Sequence, residues 1–308
     1  MIKTYAHTDF LPLDDIAQTK QASGLRVSAV IPARNEAATI GRIVRCIGVL
    51  RQSGLVDELI VMDSASSDKT AIISAAEGAR VVGVGSVCPD LSMPSGKGAA
   101  LWKSLLVADG DIIVCVDADI DNFDSRFIYG LLGPLLIHDD ILLVKAFYQR
   151  PLALGSQEYE NHGGRVTEIL VRPLLSMFYP ELAHFFQPLA GEYAFRRAAM
   201  EQIPISSGYG VEISMLLEMY ARWGTDVFAQ VDMDRRRHRN RPVAELGKIA
   251  HGVLQALLRR LHDERKMNIL ASLDTRLTWP DNGEWRRERI IEQQLEPIAA
   301  RAKGDYHA

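Results

Sequence analysis

The sequence predicts an α/β protein organised around a doubly wound, mostly parallel sheet. Three observations carry that prediction. Short β-branched or apolar runs begin roughly every 25 to 30 residues through the first half of the chain. The stretches between them follow helical rather than alternating periodicity. One apolar run, Ile-Ile-Val-Cys-Val (112–116), stops abruptly at Asp117, Ala118 and Asp119, as a buried strand does at the ligand-binding edge of an open sheet.

The elements follow in order. Residues 1–24 are polar and mixed and read as an irregular N-terminal extension. Val27–Ile31 is the first core strand, ended by Pro32. Asn35 and Glu36 then offer helix-start chemistry before Ile40, Ile43, Val44 and Ile47. Glu58–Met62 is the second strand, followed by the polar turn Asp63–Asp68 and a short helix. Arg80–Val84 is the third, and Gly96–Val107 is a helix entered through the glycine-flanked Lys97. Ile112–Val116 and Ile141–Val144 are the fourth and fifth strands, with a helix near 125–138 between them. After residue 150 the rhythm breaks. Arg165–Phe178 is helical, with Val166, Ile169, Leu170 and Leu174 on the apolar face. Val211–Trp223 is helical, Val227–Val231 extended, and Leu246–Leu261 strongly amphipathic. Trp285–Arg301 reads as a charged helix that packs on the body or on a partner. The divisions expected are 1–24, 25–155, 156–262 of the same domain, and a helical extension over 263–308.

At 308 residues, 47% hydrophobic and 24% charged, the chain can bury a large core. A formal net charge of −4 argues against general polyanion binding. Cys46, Cys88 and Cys115 are scattered, without zinc-site or disulfide spacing, which predicts a reducing compartment. The N-terminus lacks a basic-then-apolar leader pattern, and no apolar run approaches the roughly 20 residues that span a bilayer. The expectation is a soluble, cytoplasmic protein with neither a membrane nor a nucleic-acid partner.

The chemistry concentrates at the strand ends. Alternate residues of an extended chain share a face, so Asp117 and Asp119 can address one ligand. Two close carboxylates repel unless a cation or donor lies between them. An isolated pair of this kind is more often a helix cap beside a solvated acid; its neighbours reverse that weighting. Ser95-Gly96-Lys97-Gly98 fails as a Walker loop, because Leu91 stands at its first glycine and Gly98 where Ser or Thr belongs. Gly83-Val84-Gly85 fails as a dinucleotide fingerprint, with Cys88 at the third glycine. What survives is Lys97 at a helix N-terminus, a place for an anionic group. The loops Pro32–Glu36, Asp63–Asp68, Ser95–Gly98 and Asp117–Asp121 should converge. Their carboxylates, hydroxyls and one lysine suit a nucleoside diphosphate bridged by Mg²⁺ or Mn²⁺.

Val-Ile-Pro-Ala-Arg-Asn-Glu (30–36), Glu-Leu-Ile-Val-Met-Asp-Ser-Ala-Ser-Ser-Asp-Lys-Thr (58–70) and the D-x-D resemble GT-A glycosyltransferases that use nucleotide-sugar donors. Gly-Gly-Arg-Val-Thr-Glu (163–168), Gln-Pro-Leu-Ala-Gly-Glu-Tyr-Ala (187–194), Gly-Tyr-Gly-Val-Glu-Ile (208–213) and His-Arg-Asn-Arg-Pro (238–242) are similar to the glucosyl-3-phosphoglycerate synthases. The likeness spans about residues 26–260, and its second-half motifs are the more specific. It implies a GT-A, Rossmann-like sheet with nucleotide-sugar binding over 25–155 and an acceptor-binding C-terminal half. It also implies transfer of glucose from UDP-glucose to the 2-hydroxyl of 3-phosphoglycerate with retention, a Mg²⁺ or Mn²⁺ cofactor, and a homodimer.

By matching position, the resemblance implies that Pro32, Ala33, Glu36 and Ser64 hold the uridine. Lys97 sits by the diphosphate and sugar, Asp117 and Ala118 by the donor, and Asp119 with His238 on the metal. Leu189, Gly191, Tyr209, Glu212 and Arg236 surround the glucose, with Lys97, Asp117, Glu212 and Arg236 as the catalytic set. Gly164, Arg165, Val166, Thr167 and Asn240 take the acceptor. Physical reasoning supports part of this. Gly163–Thr167 opens an apolar-periodic helix and offers bare amides, a hydroxyl and a guanidinium to a phosphate; an ordinary glycine turn before a helix reads the same way. His238 lies among Arg235, Arg236, Arg237, Arg239 and Arg241, which discourages imidazole protonation. A nucleic-acid face is the competing reading of that run, weak for a net-acidic chain. Glu212, at a helix start, could simply favour the dipole.

Ala118 stands where this family commonly has serine, and Arg34 where an apolar residue is frequent, leaving GDP-mannose or dual donor use open. No residue reads as a nucleophile on the opposite face, so front-face attack is the expected route to retention. The alternatives are another small phosphorylated acceptor, a nucleotidyltransferase, a polyprenyl-phosphate glycosyltransferase and a nucleotide-sugar-binding regulator without turnover.

Overall fold

The computed structural model describes residues 2–91, 93–149, 152–154, 157–159, 164–237, 242–281 and 283–300. Its body is one eight-stranded sheet, formed by β1 (Lys3–Ala6), β2 (Val27–Ala33), β3 (Glu58–Asp63), β4 (Arg80–Gly83), β5 (Ile112–Cys115), β6 (Leu143–Gln149), β7 (Tyr193–Arg196) and β8 (Phe228–Arg235). The spatial order is β1-β8-β6-β7-β5-β2-β3-β4. All neighbours run parallel except β7, which lies antiparallel between β5 and β6, with Val114 opposite Ala194 and Val144 opposite Ala194 on the other side. The mostly parallel α/β architecture is therefore as expected.

Both faces of the sheet are covered, which is why its strands are continuously apolar. Along β5 the side chains alternate between two cores. Ile113 and Cys115 join the cluster containing Leu101, Trp102, Met215 and Leu216. Ile112 and Val114 join the one containing Ile43, Val44, Leu131 and Leu135. Ile112, Ile113 and Val114 are each fully buried, a contribution of about 1.5–3 kcal/mol per side chain. The helices α1 (Leu13–Ser23), α2 (Ile40–Gln52), α3 (Thr70–Ala76), α4 (Lys97–Val107), α5 (Arg126–Ile137), α6 (Arg172–Phe178), α7 (Val211–Trp223) and α8 (Val243–Asp263) supply those layers.

Four expectations need correction. Residues 1–24 are no irregular arm: Lys3–Ala6 forms the sheet edge, in parallel register with Ala229–Asp232, and Phe10 and Ile16 enter the core. The helix over 165–178 exists, but Thr167–Val171 is a π turn. Its extra residue rotates the downstream apolar positions, so Val171 and Leu175 are buried while Ile169 is 78% exposed. The predicted Ile141–Val144 strand begins two residues later and runs to Gln149.

The predicted C-terminal helix is absent among the described residues. Arg276–Asp281 and Glu284–Arg289 form an antiparallel hairpin, and Gln294–Leu295 pairs antiparallel with Ile205–Ser206. Five of the six residues over 284–289 are charged and all six are exposed, so side-chain period marks neither helix nor strand there, and the pairing decided for strand. No helix among the described residues is long and apolar enough to cross a membrane.

Candidate active site

The site lies beyond the C-terminal ends of β2, β3 and β5, where parallel strands deliver their loops to a common edge. The loops after β2 and β3 are laced together. Ser67 and Ser66 bracket Asn35: the Ser67 amide donates to Asn35 Oδ1 at 2.8 Å, and the Asn35 amide donates to Ser66 Oγ at 3.0 Å. The Glu36 amide donates to Thr70 Oγ1 at 2.8 Å and that of Ser64 to the Ala33 carbonyl at 2.9 Å. Asn35 and Ala65 both adopt positive φ. Asn35 thus ties loops together and does not cap α2, whose N-cap is Thr39. Pro32 does not end β2 as the sequence suggested: it pairs opposite Met62 inside the ladder, and the strand runs on to Ala33 opposite Asp63. The four uridine candidates Pro32, Ala33, Glu36 and Ser64 stand on this braced ledge. Thr39 Oγ1 donates to the Ala118 carbonyl at 2.5 Å, which joins the ledge to the acidic turn.

Lys97 is the centre of the site. Its Nζ lies 2.6 Å from Asp117 Oδ1 and 2.8 Å from Glu212 Oε1. Burial alone would lower its pKa, yet the two carboxylates outweigh burial and hold the ammonium well above its ordinary value. Arg236 is 3% exposed, and its Nη2 lies 3.1 Å from Asp117 Oδ2, 2.9 Å from Asp119 Oδ1 and 3.1 Å from Glu192 Oε1. Here too burial opposes the charge, while Glu192, Tyr148, Asp117 and Asp119 raise the pKa above the ordinary arginine value. Gly191 sits against this knot. A Cβ there would come 2.5 Å from both Asp117 Oδ1 and Lys97 Nζ, so only glycine fits without displacing the pair.

Lysine placement carries one correction. The first amides of α4 are not open to an anion: Gly98 donates to the Gly208 carbonyl at 3.3 Å and Ala99 to that of Ser207 at 2.7 Å. Gly98 must be glycine because a Cβ would overlap the Ser206 carbonyl oxygen. The ammonium of Lys97, rather than the helix terminus, is what this element offers.

Three participants escaped the sequence reading. Glu192 is fully buried and accepts from the Tyr148 hydroxyl at 2.5 Å. The Arg236 guanidinium lies 5.5 Å from the Tyr148 ring centroid. Lys145 is also fully buried, donates to the Ala190 carbonyl beside Gly191, and lies 4.7 Å from the Tyr193 ring. Burial pushes its pKa down to about 8, against the pull of Glu212. A charged residue inside an apolar run was the available signal: Glu192 in Ala-Gly-Glu-Tyr-Ala and Lys145 in Leu-Val-Lys-Ala-Phe.

Asp117, Asp119, Glu192 and Glu212 thus face Lys97, Lys145 and Arg236, four carboxylates against three cations. One arginine nitrogen serves three of those acids. Hard oxygen donors in excess over cations suit Mg²⁺ or Mn²⁺. Among the described residues no three acidic, cysteine or histidine side chains are gathered closely enough to hold a metal by themselves. His238 and Asn240 lie outside the described residues. Two buried polar atoms at the site, Arg236 Nε and the Tyr193 hydroxyl, have no hydrogen-bond partner among the described residues.

The other sequence candidates are placed as follows. Tyr209 is 40% exposed at the turn before α7, and Leu189 is half-buried on the core beside Gly191. Gly164, with φ 77°, begins the turn into the helix, and its carbonyl accepts from the Glu168 amide at 3.1 Å. Arg165 and Val166 are half-buried and Thr167 is buried. Within the arginine run 235–237, Arg236 points inward onto carboxylates and the Arg235 carbonyl accepts from Asn122 Nδ2 and Arg126 Nη2, while Arg237 is exposed.

Comparison with known proteins agrees with this geometry. Residues 28–170 match the family model described as glycosyl transferase family 2. The chain is 41% identical over 273 residues to the glucosyl-3-phosphoglycerate synthase of Petrotoga mobilis, covering 88% of this chain and 84% of that protein. It superposes with TM-score 0.85 and 38% identity on the Mycobacterium tuberculosis glucosyl-3-phosphoglycerate synthase crystallised with Mn²⁺, UDP-glucose and phosphoglyceric acid, covering 97% of this chain and 98% of that one. That enzyme has also been crystallised with Mg²⁺ and UDP. The mannosyl-3-phosphoglycerate synthase of Rubrobacter xylanophilus superposes with TM-score 0.87 at 33% identity, covering 97% of this chain and 95% of that one.

Proposed function

The chain belongs to the glucosyl-3-phosphoglycerate synthase family, and from that premise we propose that it transfers glucose from UDP-glucose to the 2-hydroxyl of 3-phosphoglycerate with retention at the anomeric carbon. The observation that carries this is the joint Lys97–Asp117–Glu212 and Arg236–Asp117–Asp119 ion-pair knot at the strand ends. Pro32, Ala33, Glu36 and Ser64 take the uridine, and Lys97, Asp117, Ala118, Leu189, Gly191, Tyr209 and Glu212 the diphosphate and sugar. Gly164, Arg165, Val166, Thr167 and Asn240 take the acceptor. Asp119 and His238 would hold Mg²⁺ or Mn²⁺, which when bound neutralises charge on the donor diphosphate.

The chain's own groups set up the reaction. Lys97 and Arg236 are preorganised cations beside the position where the leaving phosphate accumulates charge, a stabilisation that needs no reorganisation at the moment of reaction. Glu212 and Asp117 accept from sugar hydroxyls and orient the ring. The anomeric carbon–phosphate oxygen bond breaks as the acceptor's 2-oxygen bonds to that carbon on the same face. The acceptor proton passes to the departing phosphate oxygen. Each of the carboxylates Asp117, Glu212 and Glu192 is engaged by a cation, which blunts it as a nucleophile and favours front-face attack over a covalent intermediate. The absence of any disulfide among the described cysteines Cys46, Cys88 and Cys115 supports a cytoplasmic setting, and a homodimer is part of the proposal on the family likeness alone.

A second donor reading rests on the close superposition with the mannosyl enzyme. Purified protein with Mg²⁺ is given UDP-glucose or GDP-mannose, with 3-phosphoglycerate or glycerate. UDP release that requires the phosphorylated acceptor supports the assignment. A higher kcat/KM with GDP-mannose overturns the donor, and binding without release makes the protein a regulator. A trapped glycosyl-enzyme would overturn the front-face route.

A further inference from the structure

Glu292 lies in the C-terminal segment, beyond the region that resembles the family motifs, yet its carboxylate is buried at the base of the site, 3% exposed. Its Oε2 accepts from the Gly208 amide at 3.0 Å and its Oε1 from the Gly210 amide at 3.1 Å, with the Tyr209 amide also directed at it. Three consecutive amides enclosing one anion form a nest, here at the entry to α7. The space is built for it. A Cβ at Gly252 of α8 would lie 2.5 Å from Glu292 Oε1, and one at Gly208 would overlap the same oxygen. Burial raises the Glu292 pKa and Glu212 adds to the rise, while the three amides pull it back.

The turn that Glu292 grips carries the sugar-facing groups. Tyr209 is its central residue and Glu212, three positions on, bonds Lys97. The carbonyls of Ser207 and Gly208 hold the first turn of α4, from which Lys97 projects. The segment bearing Glu292 is itself anchored: Gln293 and Ser207 exchange bonds at 2.8 and 3.0 Å, and Gln255 Nε2 donates to the Ile290 carbonyl at 2.8 Å. A negative charge brought from a distant part of the chain therefore sets the turn, and the turn sets two members of the catalytic knot.

We infer that Glu292 is a positioning residue for glucosyl transfer, fixing the 208–210 turn and through it Tyr209, Glu212 and Lys97. The inference rests on the functional reading above. Glu292→Gln keeps the shape but sets the carboxamide NH2, a donor, against one of the donating backbone amides. Kinetics are measured for wild type, Glu292→Gln, Gly252→Ala and Gln255→Ala, with amide hydrogen exchange over 208–210 and melting temperatures. Gly252→Ala displaces the carboxylate while keeping its charge; Gln255→Ala loosens the segment and spares the carboxylate. The expected result is a kcat lower by about tenfold or more in the first two variants, with KM for 3-phosphoglycerate within about twofold of wild type. Exchange at 208–210 should quicken in both, while Gln255→Ala keeps near-normal kcat and exchange at a comparable loss of melting temperature. Wild-type kcat in Glu292→Gln, or a kcat that simply tracks melting temperature across all three variants, overturns the inference. Wild-type protein that releases no UDP would strike the functional reading instead, and unchanged exchange in Glu292→Gln would still refute the role of Glu292.

Discussion

Gly191→Ala is a single-methyl perturbation aimed at the middle of the knot. The added carbon would sit 2.5 Å from Lys97 Nζ and from Asp117 Oδ1, roughly 1 Å inside ordinary van der Waals contact. The glycine has no positive φ that alanine would strain, so the whole effect is steric. Overpacking of this kind costs about 1–3 kcal/mol when neighbours must shift. The softest neighbours are the Lys97 and Asp117 side chains, about a fifth to a quarter exposed; the backbone around Gly191 is buried. The pair should therefore give way, and misplacement by about 1 Å at reacting groups lowers rate by up to about 100-fold. We expect kcat/KM for UDP-glucose to fall about 5- to 100-fold, from about 1.4 kcal/mol per decade, with a melting temperature within a few degrees of wild type. The assay is UDP release at saturating 3-phosphoglycerate, with calorimetric binding of UDP-glucose. Wild-type kcat/KM in a folded variant, or a loss confined to KM for the acceptor, would refute the placement of Gly191 against the reacting end of the donor.

Asp119→Ala should abolish divalent-metal-dependent UDP binding in calorimetry and reduce turnover by about 100-fold or more; normal metal-dependent binding contradicts its assignment. Arg165→Ala should raise KM for 3-phosphoglycerate about tenfold or more through loss of a charge-assisted phosphate contact, leaving UDP-glucose affinity near wild type. Lys145 provides a pH test. Its folded-state pKa is lowered from 10.5 to about 8 by burial, so between those values the unfolded chain binds more protons and this group's contribution to stability rises with pH. The penalty for burying the charge is fully present below about 8. The stability of wild type minus that of Lys145→Met should therefore become more favourable by on the order of 2 kcal/mol from about pH 7.5 to about pH 9.5, read by urea unfolding. A flat difference would show that Lys145 does not titrate there.

Much of the fold was legible because its signals are local. The apolar run into Asp117 and Asp119, the bounds of α7 and the stripe of α8 all follow from side-chain period, which is set by residues a few positions apart. The sequence alone also placed Lys97, Gly191, Glu212 and Arg236 in one site, through motifs rather than through geometry. Tertiary structure decided what depends on partners far along the chain. Residues 3–6 became a sheet edge because β8, more than two hundred residues on, presented an open ladder. Antiparallel β7 was inserted between two parallel strands, and a π turn rotated the buried face of the helix after Gly164. The C-terminal segment became hairpin and strap instead of helix, and brought Glu292 beneath the 208–210 turn. Hydrogen-bond ladders, buried ion pairs and the packing of glycines against carboxylates are agreements between segments distant in sequence, and local periodicity holds no record of which segments will meet.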